Sequence, residues 1–207
     1  MTSQLVFPTA LASALIIILM SLLGGIATPG YDHTTQFISE LGASQAAHEY
    51  PVRFLGFLPA GVTLLAFCWF AQRSLPRAPL TDLAFIALAI YAAGYCTAAV
   101  FPCDPGCRPS SPSFAQVVHN AVGGIGYLVA PAFLSIFAFQ SRSWQAAATL
   151  ATIGFMAAVV ALVGLLTLSH SSPYVGISQR AIEAAVLGWV VACGWYVRVG
   201  SGSSAAR

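Results

Sequence analysis

Residues 144–168 read WQAAATLATIGFMAAVVALVGLLTL, a run without one ionisable side chain. A helix in a soluble domain keeps a polar face toward water, and this segment has none to offer. Wound as a helix rising about 1.5 Å per residue, it spans the ~30 Å hydrocarbon core of a bilayer. Lipid, where every backbone group must be satisfied within the helix, is the solvent that fits.

Working outward, five further stretches match or nearly match it: 5–27, 52–71, 82–101, 117–139 and 179–199. The second is the weakest, with Arg53 near its start and Pro59 within it. Proline is tolerated in a span where neighbours satisfy the freed carbonyl. Asp82, just after Thr81, reads as the start of the third. The N-terminal run lacks the basic n-region and small-residue cleavage site of a signal peptide, so it is expected to remain as the first span.

Composition agrees. Hydrophobic residues make up 58% of the 207, and charged residues 7%, against about 25% charged in soluble domains. Eight arginines against six acids are too few and too scattered for a nucleic-acid surface. No phosphate-binding loop or dinucleotide glycine pattern is present, so nucleotide partners are not expected. The expected fold is an all-α membrane protein, a six-transmembrane-helix bundle forming one domain over 1–199, with a low-complexity, disordered tail at 200–207. Arg73, Arg77, Arg142, Arg198 and Arg207 fall at one end and Arg53, Arg108 and Arg180 at the other. The positive-inside rule then puts both termini in the cytoplasm of a cell-membrane protein.

Small residues recur at helix-contact spacing: Ala89 with Ala93, Gly94 with Ala98, and Ala184, Gly188 and Ala192. They are expected to let helices approach closely.

Nearly all the remaining ionisable groups gather at the expected extracytoplasmic end. Asp104, Arg108 and His119 lie around the second outer loop, and Arg180 and Glu183 open the sixth span three residues apart, on one face. Charge inside a membrane is costly unless paired, so such a cluster marks a candidate site. Ser39, Asp104 and His119 are candidates for catalysis, with His119 as a base activating water or Ser39. Glu40 and Arg180 are candidates for substrate binding, Arg180 for an anionic headgroup. His33, Asp104, His119 and His170 offer donors for a divalent metal, though without helical ligand spacing. For each residue the competing reading is structural: a wet loop, an interfacial hydrogen bond, or an Arg180–Glu183 pair. Ser39 and Glu40 lie in ISELG, which reads as a short interfacial helix with Gly42 as its C-cap.

In FPCDPGC, Cys103 and Cys107 flank Asp-Pro-Gly, a turn sequence that can bring two cysteines into disulfide range. On the oxidising side a structural disulfide is expected. A redox pair is the alternative, although C-x-x-x-C is not the oxidoreductase spacing.

ISELG after the first span, Phe101-Pro102-x-Asp104 after the third, His119 at the head of the fourth and GISQR before the sixth resemble a family of multi-spanning membrane proteins known as domain of unknown function 998. The resemblance runs from about residue 10 to 198. It implies a polytopic protein, mostly of bacteria and archaea, in which Ser39, Glu40, Asp104, His119 and Arg180 match the shared pattern. Three functions follow as expectations: a membrane-embedded hydrolase acting on a lipid-like substrate, a transporter or ligand-binding membrane protein, or a non-catalytic assembly partner.

Overall fold

The computed structural model describes residues 2–169 and 171–205, with side chains as far as residue 200. His170 lies outside the described residues, as do 206 and 207. Six helices are long and apolar enough to cross a membrane. They are α1 (Thr2–Ala27), α2 (Glu49–Ser74), α3 (Pro79–Val100), α4 (Phe114–Ser141), α5 (Ala148–Thr167) and α6 (Val175–Ala205). The described residues contain no strand. Helix α6 runs to Ala205, past the expected boundary at 199.

Each helix packs against its neighbours in sequence, and α6 closes back on α1, so the bundle is a ring in chain order. Six antiparallel passes bring the start of α1 and the end of α6 to one end. The loops 28–48, 101–113 and 168–174 share the other end, called here the loop end.

The helix starts follow local chemistry. Helix α3 begins at Pro79 rather than at Asp82, because proline is favoured in the first turn, where its missing N–H is no loss. Asp82 still serves that turn by accepting from Gln72 Nε2 at 2.9 Å, which ties α3 to α2. Helix α4 is capped by Ser113, whose Oγ accepts from the Gln116 N–H at 3.1 Å. In α2 the turns from Val52 to Phe57 widen to a π-helix, and the Leu58 N–H reaches back five residues to the Arg53 carbonyl. The widening ends just before Pro59, whose ring cannot donate to the ladder.

The middle of the ring is packed with aromatic side chains. Trp189 of α6 stacks on Phe137 of α4 with centroids 4.1 Å apart, and Phe85 of α3 meets Phe137 edge-on. Glycine makes the closest approaches. A Cβ on Gly154 would lie 2.9 Å from the Ala138 side chain, and one on Gly164 would lie 2.7 Å from Ile182. Leu23, Ile26, Leu55 and Leu166 face outward and exposed, which is the surface that lipid covers.

Candidate functional site

At the loop end, the loop 28–48 is held from α6. The Arg180 Nη1 donates to the carbonyls of His33 (2.8 Å), Gln36 (3.1 Å) and Gly176 (3.1 Å). Its Nη2 donates to Tyr31 Oη (2.7 Å) and His33 Nδ1 (2.9 Å). The loop lies so close that a Cβ on Gly176 would overlap the His33 and Gln36 carbonyl oxygens. Because His33 Nδ1 accepts from arginine, the imidazole is neutral, with its proton on Nε2. Burial, and then the guanidinium of Arg180, hold His33 below its ordinary pKa.

The same loop is stiffened from within. Glu40 turns back on its own segment: Oε1 accepts from the Phe37 N–H at 2.9 Å and Oε2 from Gln36 Nε2 at 2.8 Å. Residues Ile38–Gly42 form a 3-10 turn followed by an extended Ala43. Gly42 is therefore not a left-handed C-cap. It is needed because a Cβ there would lie 2.9 Å from Phe57 and 3.2 Å from Arg53.

The loop 101–113 is sewn to the loop 28–48. The sulfurs of Cys103 and Cys107 lie at bonding distance, with Cα atoms 5.0 Å apart. The turn between them uses Gly106 at φ 73°, a conformation glycine adopts freely. Cys103 and Cys107 pack with Phe37, Ala43 and Val175. The Cys103 carbonyl accepts from the Ser44 N–H at 2.8 Å, and Arg108 Nη2 donates to the Thr35 carbonyl at 3.1 Å.

Beneath these loops a cavity of about 220 Å³ opens inside the ring. Ser39, His119 and Asn120 line it near the loops, and Tyr95, Tyr127, Gln179 and Glu183 lie deeper. Phe37, Phe57, Ile17 and Leu168 give apolar wall. Asn120 and Gly124 are exposed, whereas Gln179 and Glu183 are buried. A Cβ on Gly94, Gly123 or Gly124 would meet nothing within 4 Å. Gly94 therefore makes room in the cavity rather than a helix contact, and Gly188, likewise without a neighbour, is exposed. Close packing falls instead to Gly61, Gly154, Gly164 and Gly194.

Glu183, about two turns into α6, is the deepest ionisable group of this site. Tyr91 and Tyr95 of α3 donate to its Oε2, the former at 2.6 Å, and Tyr127 of α4 donates to Oε1 at 2.7 Å. Gln179 fixes the direction of that last bond. Its Oε1 accepts from the Ile38 N–H at 2.6 Å, and its Nε2 donates to Tyr127 Oη at 2.7 Å, leaving the tyrosine proton for Glu183. The Arg180–Glu183 pair does not form. Among the described residues the ion pair is Arg53 with Glu49, at 2.5 Å.

The sequence candidates thus divide. Ser39 and His119 share the cavity wall. His119 Nδ1 lies 3.0 Å from the Phe101 carbonyl. A carbonyl only accepts, so Nδ1 carries the proton and Nε2 keeps its lone pair. Ser39 Oγ lies 3.5 Å from Cys107 Sγ. Asp104 does not line the cavity. Its carboxylate accepts from the Ser113 N–H at 2.9 Å, and its own N–H donates to Gln116 Oε1 at 2.7 Å. Glu40 and Arg180 also lie outside the lining, with their polar atoms spent on the first loop. No three His, Cys, Asp or Glu side chains gather as a metal-holding group among the described residues. Tyr91, Tyr95, Tyr127 and Gln179 were not among the sequence candidates. The signal was there: a phenol within an apolar span must find an acceptor.

A family model described as protein of unknown function (DUF998) matches residues 11–196. The chain belongs to that family. No curated protein and no solved structure matches.

Proposed function

We propose that this is a multi-pass protein of the cell membrane, with both chain ends cytoplasmic, that takes the polar end of a lipid-like ligand into the loop-end cavity. One observation carries the reading: the cavity has apolar walls and a few convergent polar groups, the pattern of a small-ligand site. Its rim is exposed and its polar floor buried, which suits a ligand with a polar head and an apolar remainder. The orientation rests on the arginine bias. A cysteine placed at Ser203 should then react with impermeant maleimide only after the cells are opened.

Chemistry on that ligand is the second reading, favoured by the His119 tautomer. Nε2 is the basic nitrogen of a ring that lines the cavity, and it is suited to take a proton from water or from Ser39. The Phe101 carbonyl, not Asp104, orients the ring. Asp104 would act at one remove, by holding the loop against α4.

Gly123→Leu tests the binding reading, because Gly123 lines the cavity and a Cβ there would meet nothing within 4 Å. Native mass spectrometry of the detergent-purified protein with dihexanoyl phospholipid should show one lipid bound to the wild type. The variant should melt at an unchanged temperature and bind none. Equal binding by both proteins would rule the cavity out as the site.

A further inference from the structure

Resting on the lipid-binding reading, we infer that the group received at the cavity floor is a cationic amine, an alkylammonium of the phosphatidylethanolamine kind. Glu183 lines the cavity and Arg180 does not. Although it lies less than one turn away on α6, Arg180 is turned to the loop carbonyls, Tyr31 and His33. The floor therefore presents an acid with no ion-pair partner among the described residues, which an anionic headgroup could approach only against repulsion.

Hydrogen-bond polarity agrees. Three phenols donate to Glu183, and the direction of one is fixed by the relay from the Ile38 N–H through Gln179. Neutral donors stabilise a carboxylate without neutralising it. A carboxylate has about four lone-pair sites, and these donors occupy three: two on Oε2 and one on Oε1. The remaining site on Oε1 can accept from an N–H. His119, which lines the cavity, adds a second acceptor in Nε2, left free when Nδ1 donates to the Phe101 carbonyl. Two acceptors, one of them charged, ask for a ligand that donates, and an ammonium does so from up to three N–H bonds. Phe37, Phe57, Tyr95 and Tyr127 give the cavity an aromatic lining, whose ring faces attract ammonium groups.

The test uses the full chain in detergent, with dihexanoyl phosphatidylethanolamine, dihexanoyl phosphatidylglycerol, dihexanoylglycerol and ethanolamine as separate probes. Wild type should bind the ethanolamine lipid about tenfold or more tightly than either other lipid. Glu183→Gln, which keeps the shape and removes the charge, should erase that preference while still binding dihexanoylglycerol. If Glu183→Gln does not fold, Tyr95→Phe should lower the preference in the same direction by removing one donor. Ethanolamine alone competing as strongly as its lipid would support the amine site and name a free amine as the ligand. A preference for phosphatidylglycerol, or an amine preference that survives in Glu183→Gln, would overturn the amine assignment and leave the lipid cavity standing. Binding of every probe that is equal in wild type and Gly123→Leu would overturn the lipid-binding reading itself.

Discussion

Glu49 with Arg53 and Arg180 with Glu183 are two acid–base couples about one helical turn apart at the loop end of the ring, and they resolve in opposite ways. On α2, Arg53 pairs directly with Glu49 at 2.5 Å and caps the end of α3 through the Ala99 carbonyl at 2.7 Å. Tyr50 and Phe54 flank its guanidinium. Acid, base and neighbouring backbone are all used, and the couple acts as a clasp. On α6 the two charges point apart, Arg180 to the loop and Glu183 to three phenols at a cavity floor. Spacing alone does not make a salt bridge. What decides is which donors the neighbouring elements bring, and tyrosines of α3 and α4 reach Glu183.

The largest contrast should come from Arg180→Ala. It strips donors from the His33 and Gln36 carbonyls and from Tyr31, so a loss of about 3 kcal/mol is expected. Melting in detergent should fall, and proteinase K should cut within 28–48 faster than in wild type. An unchanged cleavage rate would mean the loop does not depend on this clamp.

Tyr127→Phe comes next. It removes one donor to Glu183 and strands Gln179 Nε2, for an expected loss of about 1–2 kcal/mol. A second variant, Gln179→Leu, should be less than additive with it, because both break one relay. Full additivity in the double mutant would dissolve the relay.

Glu49→Gln should cost less, about 1 kcal/mol, since the amide oxygen can still accept from Arg53 and Arg53 keeps its bond to the Ala99 carbonyl. If its melting temperature fell as far as that of Arg180→Ala, the two couples would not differ as the geometry says.

The smallest effect is with pH. The Arg180 clamp includes a histidine, and the Arg53 clasp does not. The His33 pKa is lowered in the fold, so between that value and about 6.5 the unfolded chain binds more protons. The contribution of this contact is complete above about pH 6.5 and is lost as pH falls through the folded value. Melting curves from pH 7.5 to 5 should show a steeper decline for wild type than for His33→Gln. Parallel curves would remove His33 from the clamp.

Much of the site was legible as residue types and little of it as geometry. Ser39, His119 and Arg180 stood out because polar groups near apolar runs need a reason. Most of their partners could not be read, because Phe101 meets His119, and His33, Gln36 and Gly176 meet Arg180, through backbone carbonyls, which look the same in every residue. The cavity was equally hidden. Gly94, Gly123 and Gly124 look like Gly61 and Gly154 in sequence, yet the first three face open space and the other two face neighbours.

The sequence by itself determined that this is a polytopic membrane protein with six segments apolar and long enough to cross a bilayer, because hydropathy accumulates along the chain and needs no long-range contact. It also set the turn at Cys103–Cys107, a local matter of Pro105 and Gly106. Tertiary structure alone decided that the helices close into a ring in chain order, that Asp104 holds a loop rather than His119, and that Glu183 meets three tyrosines instead of Arg180. Those outcomes depend on the rotation of each helix about its own axis. That rotation is set by packing against both neighbours at once, and in a span that is apolar on every face no sequence pattern records it.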